Sequence, residues 1–289
     1  MENIQFDGGS ISTGSGSDSI SFNHIGVNQG AINRNRLIWS DSIAVFLRGN
    51  NHSLTNSTLR QTDGTTVRVD AQNTVIENNA IYESLHQGVD VDKAYNATIR
   101  DNTIFDIGNS AIAIGAKASL ITGNHTYHSG MRITDIATMN TWNSGDMQGT
   151  EISYNWVHSS LAPRDGTLSW WGGQGIRLDS GGAEFGCSNT LIHHNVVWGT
   201  TSESAITAWA LDSTQLNYND AKIYVYQNTV AGKLVVGRSG DTTSSVGNFY
   251  KRNIARSYIG DTDEAVVEEN LFYEDNVPNN LFDNPDFIS

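Results

Sequence analysis

The chain has 289 residues, with 31 acidic against 17 basic side chains and a net charge of −14. That balance argues against a surface that tracks nucleic-acid phosphates, and no run of roughly 18 apolar residues is present to span a membrane. The lone Cys187 forms no internal disulfide and no Cys/His set has zinc-ligand spacing, while 28 glycines against three prolines suit many short strands joined by tight turns.

Residues 1–30 are rich in Gly and Ser with short apolar pieces, Ile4-Gln5-Phe6 and Ile20-Ser21-Phe22. The interval from Asn23 to Asn35 is too short for the repeat that follows, so this stretch is expected to be an irregular N-terminal cap over an open hydrophobic end. The start and the end of the chain are both abrupt; a removed leader and a longer native protein are expected.

From Leu54 to Asn124 the sequence repeats itself. Leu54-x-x-Ser57-x-Leu59, Ile76-x-x-Asn79-x-Ile81, Ile99-x-x-Asn102-x-Ile104 and Ile121-x-x-Asn124-x-Thr126 recur every 22 or 23 residues. Such a period built from short β-branched runs predicts the stacked turns of a parallel β-helix. The pattern extends to Asn35 upstream and to Asn155, Asn195, Asn228, Asn253 and Asn270 downstream, each three residues after an apolar or aromatic residue, which predicts about ten coils in one elongated domain spanning 1–289. Stacked at about 4.8 Å, the asparagines are expected to form an inward hydrogen-bonded ladder with no chemical role. Three residues beyond the ladder positions, Tyr82, Phe105, Tyr127, His158, Trp198 and later Tyr273 form a column expected to stack and support packing.

Each coil carries a second strand at a fixed offset: Ala44–Arg48, Thr66–Asp70, Gly88–Asp92 and Ala111–Gly115. Alternation sends Val45/Leu47, Val67/Val69, Val89/Val91 and Ile112/Ile114 inward. Two outward columns result, Phe46, Arg68, Asp90, Ala113 and Arg48, Asp70, Asp92, Gly115. After Asn124 the spacing lengthens to 31, 40 and 33 residues, so the coils of residues 125–220 are expected to extend long loops that wall a cleft. The added stretches hold Trp142, Trp170 and Trp171. The same strand then returns with Arg177, Asp179, Thr207 and Trp209 in the outward columns.

Asp90 and Asp92 stand beside a rung that offers only Ala113 and Gly115, so a depression one coil wide is expected there, wide enough for a sugar ring. Lys93 follows at the turn. The candidate catalytic residues are Asp90, Asp92, Lys93, Arg177 and Asp179, and the candidate substrate-binding residues are Arg68, Arg132, Trp142, Trp170, Trp171 and Trp209. The competing reading of the same columns is a set of cross-coil ion pairs on an exposed sheet. His193 and His194, adjacent on a strand, are expected on opposite faces and not as a metal pair.

The repeated I-x-x-N-x-φ followed by G-I-x-φ, as in Gly175–Ser180 running on to Asn189–Asn195, resembles the right-handed parallel β-helix proteins of the pectate-lyase-like superfamily over residues 31–275. That resemblance implies an all-β, single-stranded right-handed solenoid, usually secreted or borne at the cell surface, with its substrate cleft along the sheet of the outward columns. It shares only the first Asp of the Asp-Pro-His-Asp signature of alginate epimerases, at Asp90, and lacks the Gly-His-Gly and Arg-Ile-Lys elements of polygalacturonase-type hydrolases. Lys93 is similar in placement to the catalytic Lys of alginate lyases of the chondroitinase B type. The expected function is cleavage of an acidic, uronate-containing polysaccharide by β-elimination, with Arg177, Arg68 or Arg132 neutralising the carboxylate and Lys93 or His128 as base. A glycoside hydrolase pairing Asp90 or Asp92 with Asp179, and a non-catalytic glycan-binding solenoid, are the alternatives. No cofactor is demanded, calcium is admitted by the aspartates, and a monomer whose partner is the polysaccharide is expected.

Overall fold

The computed structural model describes residues 5–7, 18–23, 30–142, 145–162, 172–179, 187–202, 204–208, 223–235, 248–259 and 265–273, with side chains described from residue 31 onward except those of Trp39 and Trp142. Among these residues every regular element is a β-strand, and the strands fall into three sheets of ten, ten and eleven. Each sheet takes every third strand in chain order, and every pair is parallel. The chain therefore coils, contributing one rung to each sheet per turn. Sheet I carries Ile43–Asn50, Val67–Gln72, Val89–Asp90, Ile112–Ala113, Ala137–Trp142, Gln174–Asp179, Ser204–Ala208 and their neighbours; sheet II follows it in each coil, and sheet III follows the asparagine turn.

Alternation sets the core as the sequence predicts. Val45, Leu47, Val67, Val69, Val89, Val91, Ile112 and Ile114 are all buried, and they join Ile76, Ile99 and Ile121 of sheet II with Leu59, Ile81 and Ile104 of sheet III in one continuous apolar column. The residue that opens each sheet I strand is small for a packing reason. A Cβ on Gly88 would lie 2.6 Å from Cγ2 of Ile104, and one on Gly175 would lie 2.3 Å from Cγ1 of Val197. Sheet III fills that corner, so the facing residue cannot.

The ladder is present and buried. Asn79 donates its backbone N–H (3.0 Å) and its Nδ2 (2.9 Å) to Oδ1 of Asn102, and Nδ2 donates again to the Leu54 carbonyl (2.9 Å). Asn102 repeats this with Asn124, and the chain of bonds continues through Asn155, Asn195, Asn228 and Asn253 to Asn270. The corner itself is turned one residue earlier, where Asn78, Asp101, Gly123, Tyr154, His194, Gln227 and Arg252 all have φ near +55 to +66°. Left-handed backbone on Tyr154 or His194 costs of order 1 kcal/mol, which the buried bonds of the ladder offset.

Two expectations are corrected here. Within the first thirty residues, expected to be irregular, the described stretches are strands: Gln5–Asp7, Asp18–Asn23 and Gly30–Asn33 each add a parallel rung to one sheet, in register with Arg36–Ile38, Ile43–Arg48 and His52–Thr55. Sheet I needs only a residue of the right parity at each position, so Ile20 pairs with Val45 across 25 residues, with Asn35 at the corner between them. Likewise the added stretch that holds Trp142 is not a single loop, because Ala137–Trp142 is a full sheet I strand, with Met139 in register with Ile112 and Asn140 with Ala113.

Candidate functional site

The outer face of sheet I reads, rung by rung, Phe46, Arg68, Asp90, Ala113, Asn140, Arg177 and Thr207. At about 4.8 Å per rung, Asp90 and Arg177 stand roughly 14 Å apart. The catalytic residues expected as one cluster therefore fall into two groups.

The C-terminal group is enclosed. Arg177 has no solvent exposure; its Nε donates to Oδ1 of Asn140 at 2.8 Å, its Nη1 meets Asp135 at 2.5 Å, and Asp179 lies 3.7 Å from Nε. Asp179 is itself buried, its backbone N–H donating to Oγ1 of Thr141 at 3.0 Å. Arg177 points away from the core as the alternation predicts, yet the Met131–Ile136 turn and its neighbours cover it. A buried guanidinium held by two carboxylates and an amide is a clamp between rungs. Asn140 and Asp135 were hidden from sequence reasoning because the lengthened turn breaks the period; the alternation of Ala137, Met139 and Thr141 was the signal available. Asn140 Nδ2 and Thr207 Oγ1, on either side of Arg177, are buried without a hydrogen-bond partner.

The N-terminal group is open. Asp70 accepts from Arg68 Nε at 3.3 Å and lies 3.8 Å from Arg48 Nε, so the ion-pair reading holds for these three. Phe46, expected to face solvent, is buried beneath both guanidinium groups, 4.3 Å and 5.5 Å from its ring centre. Asp90 ends its strand and Asp92 sits in the turn that follows, closed by the Ala94 N–H to the Val91 carbonyl at 3.1 Å; Asp92 N–H in turn donates to Oδ1 of Asp90 at 3.0 Å. The two are thus not side by side on one strand. The Asp92 carboxyl is held above the usual carboxylate range, first by its withdrawal from solvent and then by Asp90, with Lys93 and Arg68 opposing.

The depression narrows to one residue. Asp92 lies over Gly115, where a Cβ would come within 2.2 Å of the carboxylate and 2.5 Å of the Asp92 carbonyl, so Gly115 is buried and offers no cavity. Ala113 remains half-exposed between Asp90 and Asn140. Two cations lie on the coils either side of this rung, Arg132 with its Cδ over Gly108. Lys93 is exposed just past Asp92, and Arg132 is exposed at the entering turn, its backbone N–H bonded to the Gly108 carbonyl at 2.9 Å. Among the described residues neither is ion-paired, whereas Arg48, Arg68 and Arg177 all are.

Of the aromatic candidates, Trp142 takes the sheet I position opposite Asp179, while Trp170, Trp171 and Trp209 lie outside the described residues. His193 and His194 are not on opposite faces: the positive φ of His194 brings the two Nδ1 atoms to 2.8 Å. Among the described residues no group of three or more His, Cys, Asp or Glu side chains is arranged to hold a metal ion, and no helix is long and apolar enough to cross a membrane.

A family model described as "Right handed beta helix region" matches residues 3–153 and 43–277, which together span most of the sequence. The chain belongs to the right-handed β-helix family. The β-helix is also similar to solved structures. The pectate lyase Pel9A is 12% identical over 85% of this chain and 66% of that chain, with a TM-score of 0.50. An alginate lyase from Paenibacillus sp. str. FPU-7 is 12% identical over 83% of this chain and 89% of that chain, with a TM-score of 0.45. At these identities the likeness concerns the β-helix fold. No curated protein sequence matches the chain.

Proposed function

We propose that this β-helix is a carbohydrate-active enzyme that cleaves an acidic polysaccharide by β-elimination, acting outside the cell as a monomer. The observation that carries the reading is that Lys93 and Arg132, exposed and, among the described residues, not ion-paired, lie in the turn after the Asp90 strand and the turn before the Asn140 strand, on either side of the rung whose outward side chain is only a methyl group, Ala113. Elimination from a uronate needs a cation to neutralise the carboxylate, which makes the α-proton removable, and a base to take it. Arg132 suits the first role. Lys93 suits the second in its neutral amine form, taking the α-proton and becoming the ammonium, while Asp92, whose carboxyl pKa is raised, gives a proton to the leaving oxygen. Arg177 holds the Asn140 and Arg177 rungs together below the site.

The hydrolase reading loses the pairing of Asp90 or Asp92 with Asp179, because three rungs, about 14 Å, exceed the roughly 9.5 Å that an inverting carboxylate pair spans. It survives in Asp90 with Asp92, since the raised Asp92 beside a second carboxylate is the arrangement of an acid and its partner.

Incubation with alginate, polygalacturonate and neutral glycans separates the two. Lyase action gives unsaturated uronate ends absorbing in the near ultraviolet, and Lys93→Ala lowers that rate at least about a hundredfold. New reducing ends without that absorbance indicate hydrolysis. No depolymerisation of any of these glycans would overturn the enzymatic reading.

A further inference from the structure

We propose a second glycan-binding subsite on the outer face of sheet III, where one sugar ring stacks on Trp198. That face carries an aromatic ladder over five consecutive rungs. Tyr82, Phe105 and Tyr127 stack at 4.8 and 4.9 Å, Tyr127 and His158 at 5.0 Å, and His158 and Trp198 at 4.3 Å, with interplanar angles of 17° or less. These rings flank the inward residues Ile81, Ile104, Thr126, Val157 and Val197, so the ladder runs along the outside of the solenoid.

The two ends of the ladder differ. The rung before Tyr82 carries the long side chain of Arg60. The rung after Trp198 carries Ala231, one residue past the paired Val197 and Val230, with its N–H bonded to the Val197 carbonyl at 2.8 Å. Ala231 is exposed, and among the described residues no other ring stacks on the face of Trp198 directed at that rung. Arg256 lies one rung further on, in the bend that follows Ile254–Ala255, its backbone N–H donating to the Gly232 carbonyl at 2.9 Å. Between the Trp198 and Arg256 rungs lie two rung spacings, about 10 Å, with a methyl group as floor. One ring at the spacing of the ladder fills that slot.

The walls select a sugar. Trp198 gives an apolar face for ring C–H groups, backed one rung earlier by the edge-on, 58% exposed Trp156, and Thr229 and Arg256 place polar groups at the ring edge. A flat aromatic ligand would use the first feature and strand the second. That the ring belongs to the polysaccharide rests on the function proposed above. The slot lies on a different sheet from Lys93 and Arg132, so it anchors polymer without touching the reacting unit.

Electrophoretic retardation in gels cast with alginate, polygalacturonate or a neutral β-glucan tests this, using Ala231→Trp to fill the slot and Trp198→Ala to remove its wall. The wild type is retarded by one of these polymers, and each variant weakens the retardation roughly three- to tenfold. Ala231→Trp leaves turnover of a short soluble oligosaccharide unchanged, and its melting curve reports that the fold is intact. Retardation of Ala231→Trp equal to wild type, or no retardation of the wild type in any gel, overturns the subsite. Retardation sensitive to Ala231→Trp with no unsaturated product would instead sink the lyase reading and leave the subsite standing.

Discussion

Replacing Asn102 with Leu removes one rung of the inner ladder. Four hydrogen bonds go: the two that Asn79 donates to Oδ1 of Asn102, and the two that Nδ2 of Asn102 donates to Asn124 and to the Ile76 carbonyl. The backbone bond from residue 102 to Asn124 survives, since it does not need the side chain. Two buried donors of Asn79 are left without an acceptor, at about 2 kcal/mol each, while the leucine recovers about 1 kcal/mol from its added apolar burial. A net loss of about 3 kcal/mol follows, which for a chain of this size lowers the melting temperature by roughly 6 to 12 °C. Thermal unfolding followed by circular dichroism measures it. Glu77→Ala is the control, because among the described residues Glu77 is ion-paired only with the exposed Arg100 at 2.9 Å, and its melting curve should overlie the wild type. If Asn102→Leu also overlies the wild type, the ladder contributes nothing and the account of the corner is wrong.

Gly115→Ala should destabilise by about 1 to 3 kcal/mol although alanine suits its backbone, because the new methyl collides with Asp92; unchanged chemical denaturation would show that the turn yields freely. Arg177→Leu should cost about 3 kcal/mol by leaving the buried Asp179 without its cation, and a variant of native stability would show that the clamp is not needed. Burial lowers the His158 pKa, helped by His125, so the unfolded chain takes up its proton first as pH falls. His158 therefore contributes stability above about pH 6.5 that is lost on acidification, and His158→Phe, which keeps a ring in the ladder, should flatten the fall in melting temperature between pH 7 and 5. An equally steep fall would assign the effect to His125 and His193, whose pKa values burial also lowers.

The inward half of this molecule was readable because its period is strict. Val67 and Val69 face the core for the same local reason as Val89 and Val91, and Asn79 sits at a constant offset from Ile76, so counting along the chain locates them without any knowledge of neighbours. The first coil and the Ala137–Trp142 strand escaped that count because their turns differ in length, although the pairing of Met139 with Ile112 obeys the same alternation as every other rung. A turn can grow without moving the strand that follows it. Parity within a strand is therefore a safer guide than spacing between strands.

The outward half is not periodic, and its chemistry depends on what the turns cover. Arg68 and Arg177 occupy equivalent column positions, yet the first is partly open and tied to Asp70, while the second is fully enclosed by Asp135, Asn140 and Asp179. Nothing in the local sequence of either strand separates them; Asp135 comes from a turn 42 residues away. The same holds for Gly115, which reads as an empty position and is in fact the seat of Asp92. What distinguishes a reacting cation from a structural one on such a face is whether a carboxylate has already been brought to it. By that criterion two of the cations first drawn to the site, Arg68 and Arg177, are committed to the solenoid, and Lys93 and Arg132 are the two left to meet an anionic substrate.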